Sequence, residues 1–264
     1  MDPTARWRAL LAGPEADLRL DEAALLIAAH ARPALDLTAE LRRLDGLAAR
    51  VGGPADTDAV IDLLFHRLGI AGNTADYEDP HNSYLDRVID RGLGIPISLA
   101  VLLIEVGRRR GLDLEGVGMP GHFLVRDRNR PEALIDPFGR GRRLDDEDCR
   151  GLLRRVAGPD ASLHPAMLAS TGGHGILARM LANLDRSFRR RQEATGLAWV
   201  ARLRAAIPDQ PVAVLVEVAG TLGEVGCYDE AAAVVEGALA HPDVPDAAAV
   251  KLRSQATAWR ARLN

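Results

Sequence analysis

Residues 91–138 read RGLGIPISLAVLLIEVGRRRGLDLEGVGMPGHFLVRDRNRPEALIDPF, and a change of period inside this stretch decides the fold. Gly94-Ile95-Pro96 opens it as a turn. Pro96 suits the first turn of a helix because its missing N–H would have no intrahelical partner there. Leu99, Val101, Leu102, Leu103, Ile104 and Val106 make that helix apolar almost all round, so it is predicted to lie in the core. Arg108, Arg109 and Arg110 suit its negative end, and Gly111 stops it. Glu105 is a carboxylate on this apolar helix. It must either reach a wet edge or find a partner, and an Arg is the expected one.

After Gly111 the period changes from 3.6 to 2. Leu112, Leu114 and Val117 suggest a strand. His122–Arg126 and Ala133–Asp136 follow as two more, joined by a polar turn over Asp127–Pro131, the pattern of a hairpin with a longer loop. Centring that turn on Asn129 places His122 opposite Asp136, and a slip of one residue would put them on opposite faces. A carboxylate on one imidazole nitrogen fixes the tautomer and frees the other nitrogen for proton transfer. A thiol nucleophile would belong at a helix N-terminus, where the dipole stabilises thiolate. The helix at Pro96 fits that description and holds no Cys; Ser98 stands in its first turn.

Outward from this centre the chain reads as helix. Ala23–Ala31 is apolar nearly all round, Leu37–Val51 ends at Gly52-Gly53-Pro54, and Asp56 or Thr57 caps a further helix that stops at Gly69. Residues 71–83, AGNTADYEDPHNS, form a polar, turn-rich loop before a helix over Tyr84–Arg91. His81 and Asn82 in this loop are candidates for one rim of a cleft; the bland alternative is that Asn82 or Ser83 caps the helix. Leu144–Val156 reads as a helix. Ser170-Thr171-Gly172-Gly173-His174-Gly175 is a glycine-rich loop before another helix, either a flexible junction or an anion site. It lacks the ending of a P-loop. Beyond Ile176 the pattern is entirely helical. The spacing of Leu222, Gly226, Tyr228, Ala231, Ala238, Leu239 and Pro242 resembles one tetratricopeptide helix pair.

The totals narrow the function classes. A chain of 264 residues with 47% hydrophobic and 27% charged residues is globular, and its net charge of -4 argues against a nucleic-acid or anionic-membrane surface. The basic residues are Arg apart from Lys251. Cys149 and Cys227 match neither a metal-ligand spacing nor a disulfide framework, so a reducing cytoplasm is the expected compartment. The N-terminal MDPTARWRALLAG has no secretory pattern, and no apolar run reaches the ~20 residues needed to span a bilayer. The His residues are scattered, and neither a metal nor a cofactor is expected.

Tyr77–Leu85, the run Arg91 with Gly94–Leu99, Leu103-Ile104-Glu105, Gly116–Val125 and Ile135–Phe138 together resemble the SirB-one family of the transglutaminase-like superfamily. The resemblance implies an α+β fold. Its core is transglutaminase-like (papain-like), a helix packed on a small antiparallel sheet, with helical N-terminal and C-terminal regions. It implies a domain over residues 1–170 and a helical, tetratricopeptide-like region over 171–264. In that superfamily a Cys at the helix start, a His on a strand and an Asp on the next form a triad. His and Asp map to His122 and Asp136, while the Cys position falls near Pro96, with Ile97 and Ser98 beside it.

Three functions follow as expectations. The first is a catalytically silent or regulatory protein that binds a peptide or protein through the core cleft, lined by Asn82, His81, Pro96 and Gly121, and through the C-terminal helices. The second is an acyl-transfer or hydrolytic enzyme with Ser98 as nucleophile, or with His122 and Asp136 acting without a covalent step. The third is a scaffold in which Gly121 and His122 serve hairpin packing alone.

Overall fold

The computed structural model describes residues 2–239, 244 and 246–263. The chain forms two compact units, Gly13–Met180 and Met1–Ala12 with Leu181–Asn264. The division expected between residues 170 and 171 cuts the edge strand Ser170–Thr171. The compact units divide later, between Met180 and Leu181, inside the helix Gly173–Arg191.

In the Gly13–Met180 unit the central helix runs over Pro96–Arg109, with every residue from Pro96 to Gly107 buried. Helices Leu20–Ala31, Leu37–Ala49 and Leu85–Arg91 and the short helix Thr57–Ile61 pack against it. Beyond Ile61 the helix widens into a π turn over Asp62–Arg67, so that the Leu68 N–H reaches back to the Leu63 carbonyl at 2.9 Å. A five-stranded antiparallel sheet covers the central helix. Its spatial order is Arg142–Leu144, Arg130–Asp136, Leu124–Asp127, Leu114–Val117, Ser170–Thr171.

The sheet is buried on both faces. Val117, Leu124, Leu134 and Leu144 form a cluster with Cys149 and Leu152 of the helix Asp146–Ala157. Alternate residues Val125 and Ile135 are fully buried on the other side, because successive strand side chains point to opposite faces. Burial on two faces at the centre of the sheet explains why Leu124-Val125 and Leu134-Ile135 are apolar at consecutive positions rather than alternating.

The hairpin differs from the expected one in two ways. Its loop is Arg128-Asn129 alone, since Asp127 already pairs with Arg130. Asp127 makes this tight turn possible: its carboxylate accepts from Asn129 N–H at 3.0 Å and from the buried Thr57 hydroxyl at 2.6 Å. Pro131 fits inside the strand because the outer strand pairs only with residues from Leu134 onward, leaving an open edge there. A register irregularity between Arg126 and Asp127 then sets Val125 against Ile135. That is two residues away from the symmetric pairing, which keeps the same face.

The glycine-rich loop is also different. Ser170-Thr171 is the edge strand, and the following helix receives an internal anion. The Glu15 carboxylate accepts from the His174 N–H at 2.7 Å, and a Cβ on Gly172 would meet the same oxygen at 2.5 Å. The anion expected at a helix N-terminus is therefore the chain's own.

The other unit is helical: Pro3–Leu11, Ala194–Ala205, Val212–Glu224, Tyr228–Ala238 and Asp246–Arg260, with the later turns of Gly173–Arg191. Trp7 is completely buried and donates its indole N–H to the Leu203 carbonyl at 3.2 Å. Val212–Glu224 and Tyr228–Ala238 form a helical hairpin turned at Gly226, whose φ of 83° favours glycine. It shares a core with helix Asp246–Arg260, formed by Ala219, Ala232, Val235, Leu252 and Ala256. Pro242, expected to end the second helix, lies outside the described residues.

Candidate functional site

His122 stands in the loop just before the strand Leu124–Asp127, and its Nε2 lies 3.1 Å from Asp136 Oδ1. Both side chains are largely shielded, at 15% and 7% exposure. Burial acts most strongly on Asp136 and opposes its charge. The His122 hydrogen bond and charge, with the Gly139 and Phe138 N–H groups, outweigh it and hold the carboxyl below its ordinary range. The pair is thus an ionised carboxylate accepting from Nε2–H, which leaves Nδ1 as the nitrogen able to exchange a proton.

The local sequence builds the loops on both sides. Gly121 has a φ of 69°, and a Cβ there would meet Val156 at 2.6 Å. The His122 N–H closes a turn onto the Met119 carbonyl at 3.1 Å, and Arg179 donates to the carbonyls of Met119 at 2.8 Å and His122 at 2.6 Å. On the other side Asp136-Pro137-Phe138-Gly139 curls back so that Gly139 lies against its own carboxylate; a Cβ there would stand 2.6 Å from Asp136 Oδ2. Arg140, in the left-handed region at φ 59°, donates from Nε and a terminal nitrogen to the Phe65 carbonyl at 3.2 and 2.7 Å. That carbonyl lies in the π turn, where wider hydrogen bonding displaces carbonyls from the ordinary ladder. Gly139, Arg140, Gly141 and Arg142 with His66 line a concavity of about 540 Å³.

Phe138 joins the hairpin to the polar loop. Its ring meets His122 and Tyr77 edge-on, with centroids at 6.1 and 6.2 Å, and lies over Gly72. Gly72 pairs with Gly94 in a two-residue parallel bridge, and Gly94 lies against Ser98. A continuous line of contacts thus runs from His122 to the start of the central helix.

Other candidate residues are engaged in structure. Ser98 is completely buried. Its hydroxyl donates to the Asn82 carbonyl at 2.6 Å and accepts from the Ile95 N–H at 3.1 Å, so it pins the helix start to the polar loop. This geometry does not suit a nucleophile, whose proton must pass to a base within reach. Asn82 is equally buried: its amide nitrogen donates to the Asp76 carbonyl at 2.7 Å, and its Oδ1 accepts from Asn73 at 3.0 Å. Pro96 is buried at the first helical position. His81 is different, with a half-exposed side chain whose Nδ1 lies 2.7 Å from Asp79. Cys149 is a core residue, and burial, then the charges of Asp146, Asp148 and Asp145, push its thiol up to about 11. Cys227 caps the helix Tyr228–Ala238 in the other unit and accepts from Arg202 at 3.4 Å.

Sequence reasoning missed Arg140, Gly139 and Arg179. The Gly139-Arg140-Gly141 triplet carried a turn signal, while nothing local marks Arg179, whose role depends on a carbonyl pair far away in the chain.

Comparisons with known proteins agree with this architecture. A family model described as transglutaminase-like superfamily matches residues 27–182. A UPF0162 protein of Xylella fastidiosa is 39% identical over 220 residues, covering 78% of each chain. A UPF0162 protein of Pseudomonas aeruginosa is 38% identical over 174 residues, covering 62% of this chain and 63% of its own. Mouse F-box only protein 21 is 32% identical over 136 residues, 48% of this chain and 21% of that protein. No solved structure matches the chain. The matched region contains the central helix, the sheet and the His122–Asp136 pair, and the chain belongs to the transglutaminase-like superfamily.

Proposed function

We propose that this is a SirB-one-type protein that does not carry out thiol-based acyl transfer and instead binds a peptide or protein segment at the His122–Asp136 site. One observation carries this reading. The start of the central helix, where a nucleophile would stand, is filled by Pro96, Ile97 and Ser98, all buried, with the Ser98 hydroxyl committed to Asn82. The burial of Cys149 and its raised thiol pKa add support, since an activated thiol needs the reverse. An imidazole whose Nε2–H is given to Asp136 keeps Nδ1 as an acceptor for a peptide N–H. The helical hairpin Val212–Glu224 and Tyr228–Ala238 resembles a tetratricopeptide pair and is proposed as a further surface for a protein partner. Two free cysteines favour a cytoplasmic home. No described helix is long and apolar enough to cross a membrane.

A second reading is hydrolysis in which water is the nucleophile and His122 the acid–base. It is favoured by the geometry that engages Nε2 and leaves Nδ1 to exchange a proton.

The two readings separate in one set of assays. Ester hydrolysis, amide hydrolysis and amine incorporation into casein are measured for wild type, His122→Ala and a Cys149→Ala/Cys227→Ala double variant. Peptides panned from a displayed library are then titrated against wild type and His122→Ala. The binding reading expects no His122-dependent turnover and about a tenfold weaker peptide in His122→Ala. His122-dependent turnover in the double variant favours hydrolysis, and cysteine-dependent turnover sinks both.

A further inference from the structure

A second cavity of about 600 Å³ opens in the Gly13–Met180 unit, lined by Arg43, Gly46, Leu47 and Arg50 of one helix and its cap, Leu68-Gly69-Ile70, and Ile89–Gly92 at the end of another. None of these residues belongs to the His122–Asp136 site. The volume is that of a small-molecule pocket.

Its chemistry is two-sided. Leu47, Leu68, Ile70 and Ile89 supply an apolar floor. The lining holds three arginines, Arg43, Arg50 and Arg91, and one acid, Asp90. The arginines are not equally engaged. Arg43 bridges Glu40 at 3.0 Å and Asp90 at 2.8 Å, and Arg91 holds Asp79 at 2.7 Å. Among the described residues Arg50 has no ion pair. It caps the helix Leu37–Ala49 and is exposed, leaving a complete guanidinium fork for an incoming ligand.

Arginines also sit at helix ends simply to oppose the dipole, and Arg50 and Arg91 both do so. That role does not explain why two helix ends deliver their cations to one apolar hollow. The hollow is open beside two of its glycines: a Cβ on Gly46 or Gly69 would meet nothing within 4 Å.

We propose that this cleft binds a small amphiphilic organic anion, its acidic head on Arg50 with Arg91 and Arg43 flanking, and its apolar body on Leu47, Leu68, Ile70 and Ile89. A guanidinium recognises a carboxylate or a phosphate in the same bidentate manner, so the head group is left to experiment. Arg91 also ties the cleft to the polar loop, because Asp79 accepts from the His81 N–H at 3.0 Å with its other oxygen.

Isothermal titration of the full chain with octanoate, octyl phosphate, octan-1-ol and inorganic phosphate tests the proposal. One or both amphiphilic anions should bind at a single site, with octan-1-ol and inorganic phosphate at least about tenfold weaker. Arg50→Glu should weaken that binding by at least about tenfold. Gly46→Leu, which fills the hollow from a helical position with free space around it, should abolish binding while leaving the melting temperature intact. Octan-1-ol binding as well as octanoate, or inorganic phosphate binding as well as octyl phosphate, overturns the proposal. So does binding that survives both substitutions, or failure of both amphiphiles to bind. If Gly46→Leu does not fold, the exposed Arg50→Glu change decides alone.

Discussion

Two buried carboxylate clusters lie in the same compact unit and have opposite characters. At the C-terminal end of the central helix Asp21 is fully buried and accepts from Arg19 at 3.1 Å, Arg108 at 3.2 Å and Arg109 at 2.5 Å. Glu105 beside it is 2% exposed and takes Arg108 and Arg109, both at 2.9 Å. Asp136 is buried almost as deeply but has an imidazole as its partner. A guanidinium cannot release a proton under any ordinary condition. An imidazole can, and its second nitrogen does not point at the carboxylate. Depth of burial does not distinguish a strut from a candidate site here. The distinction is whether the partner of the carboxylate has a second state.

Removing a partner from the strut should produce the largest effect. Arg109 is 10% exposed on its side chain and serves both Asp21 and Glu105. Arg109→Met should therefore lower the unfolding free energy by about 3–5 kcal/mol, as measured by urea denaturation. A loss below about 1 kcal/mol would reduce the cluster to the level of a surface pair and break the comparison.

The strut should also show in acid. Burial is the largest influence on Asp21 and opposes its charge, but the bonds from Arg19 and Arg109 overcome it and lower its pKa. A depressed folded value means that the stabilisation is present above the unfolded value of about 3.9 and is lost as pH falls through the lower, folded one. The stability gap between wild type and Asp21→Asn should be widest near neutrality and close below about pH 4. A gap that widens in acid would reverse the assignment.

At the candidate site the expected loss is smaller and the readout different. Asp136→Asn should cost about 1–3 kcal/mol. It should also change the His122 tautomer seen in imidazole nitrogen NMR, from Nε2–H in wild type to a mixture. An unchanged tautomer would show that the carboxylate does not orient the ring. The smallest effect is expected at Arg140. Arg140→Gly and Arg140→Ala both lose the bonds to Phe65, but only Ala keeps the left-handed backbone penalty. Gly should be the more stable of the two by about 1 kcal/mol.

The parts of the fold legible in the sequence are those with long, repeated signals. The central helix announces itself through Pro96, its apolar run and Gly111, and the isolated Glu105 points to the arginines that hold it. The pairing of His122 with Asp136 follows from a register two residues different from the symmetric one, because a two-residue shift preserves the face. The outer strands were not legible: Arg142–Leu144 and Ser170–Thr171 are too short and polar to display a period of two. Nor was the state of Ser98. A serine in the first turn of a helix reads alike whether its hydroxyl meets a ligand or, as here, a carbonyl sixteen residues earlier. Glu15 shows the same limit, since no local pattern announces a carboxylate that travels 159 residues to its helix.

Trp7 has a consequence for the order in which the chain acquires structure. Its acceptor on Leu203 is 196 residues away. During synthesis the indole is made 196 residues before its resting place. Helix Pro3–Leu11 must wait as an amphipathic segment with an uncovered Trp while the whole Gly13–Met180 unit emerges. A nascent chain stopped at residue 180 would carry a finished sheet and an orphaned first helix. Docking of helix Pro3–Leu11 thus belongs to the end of folding, once Leu203 is available.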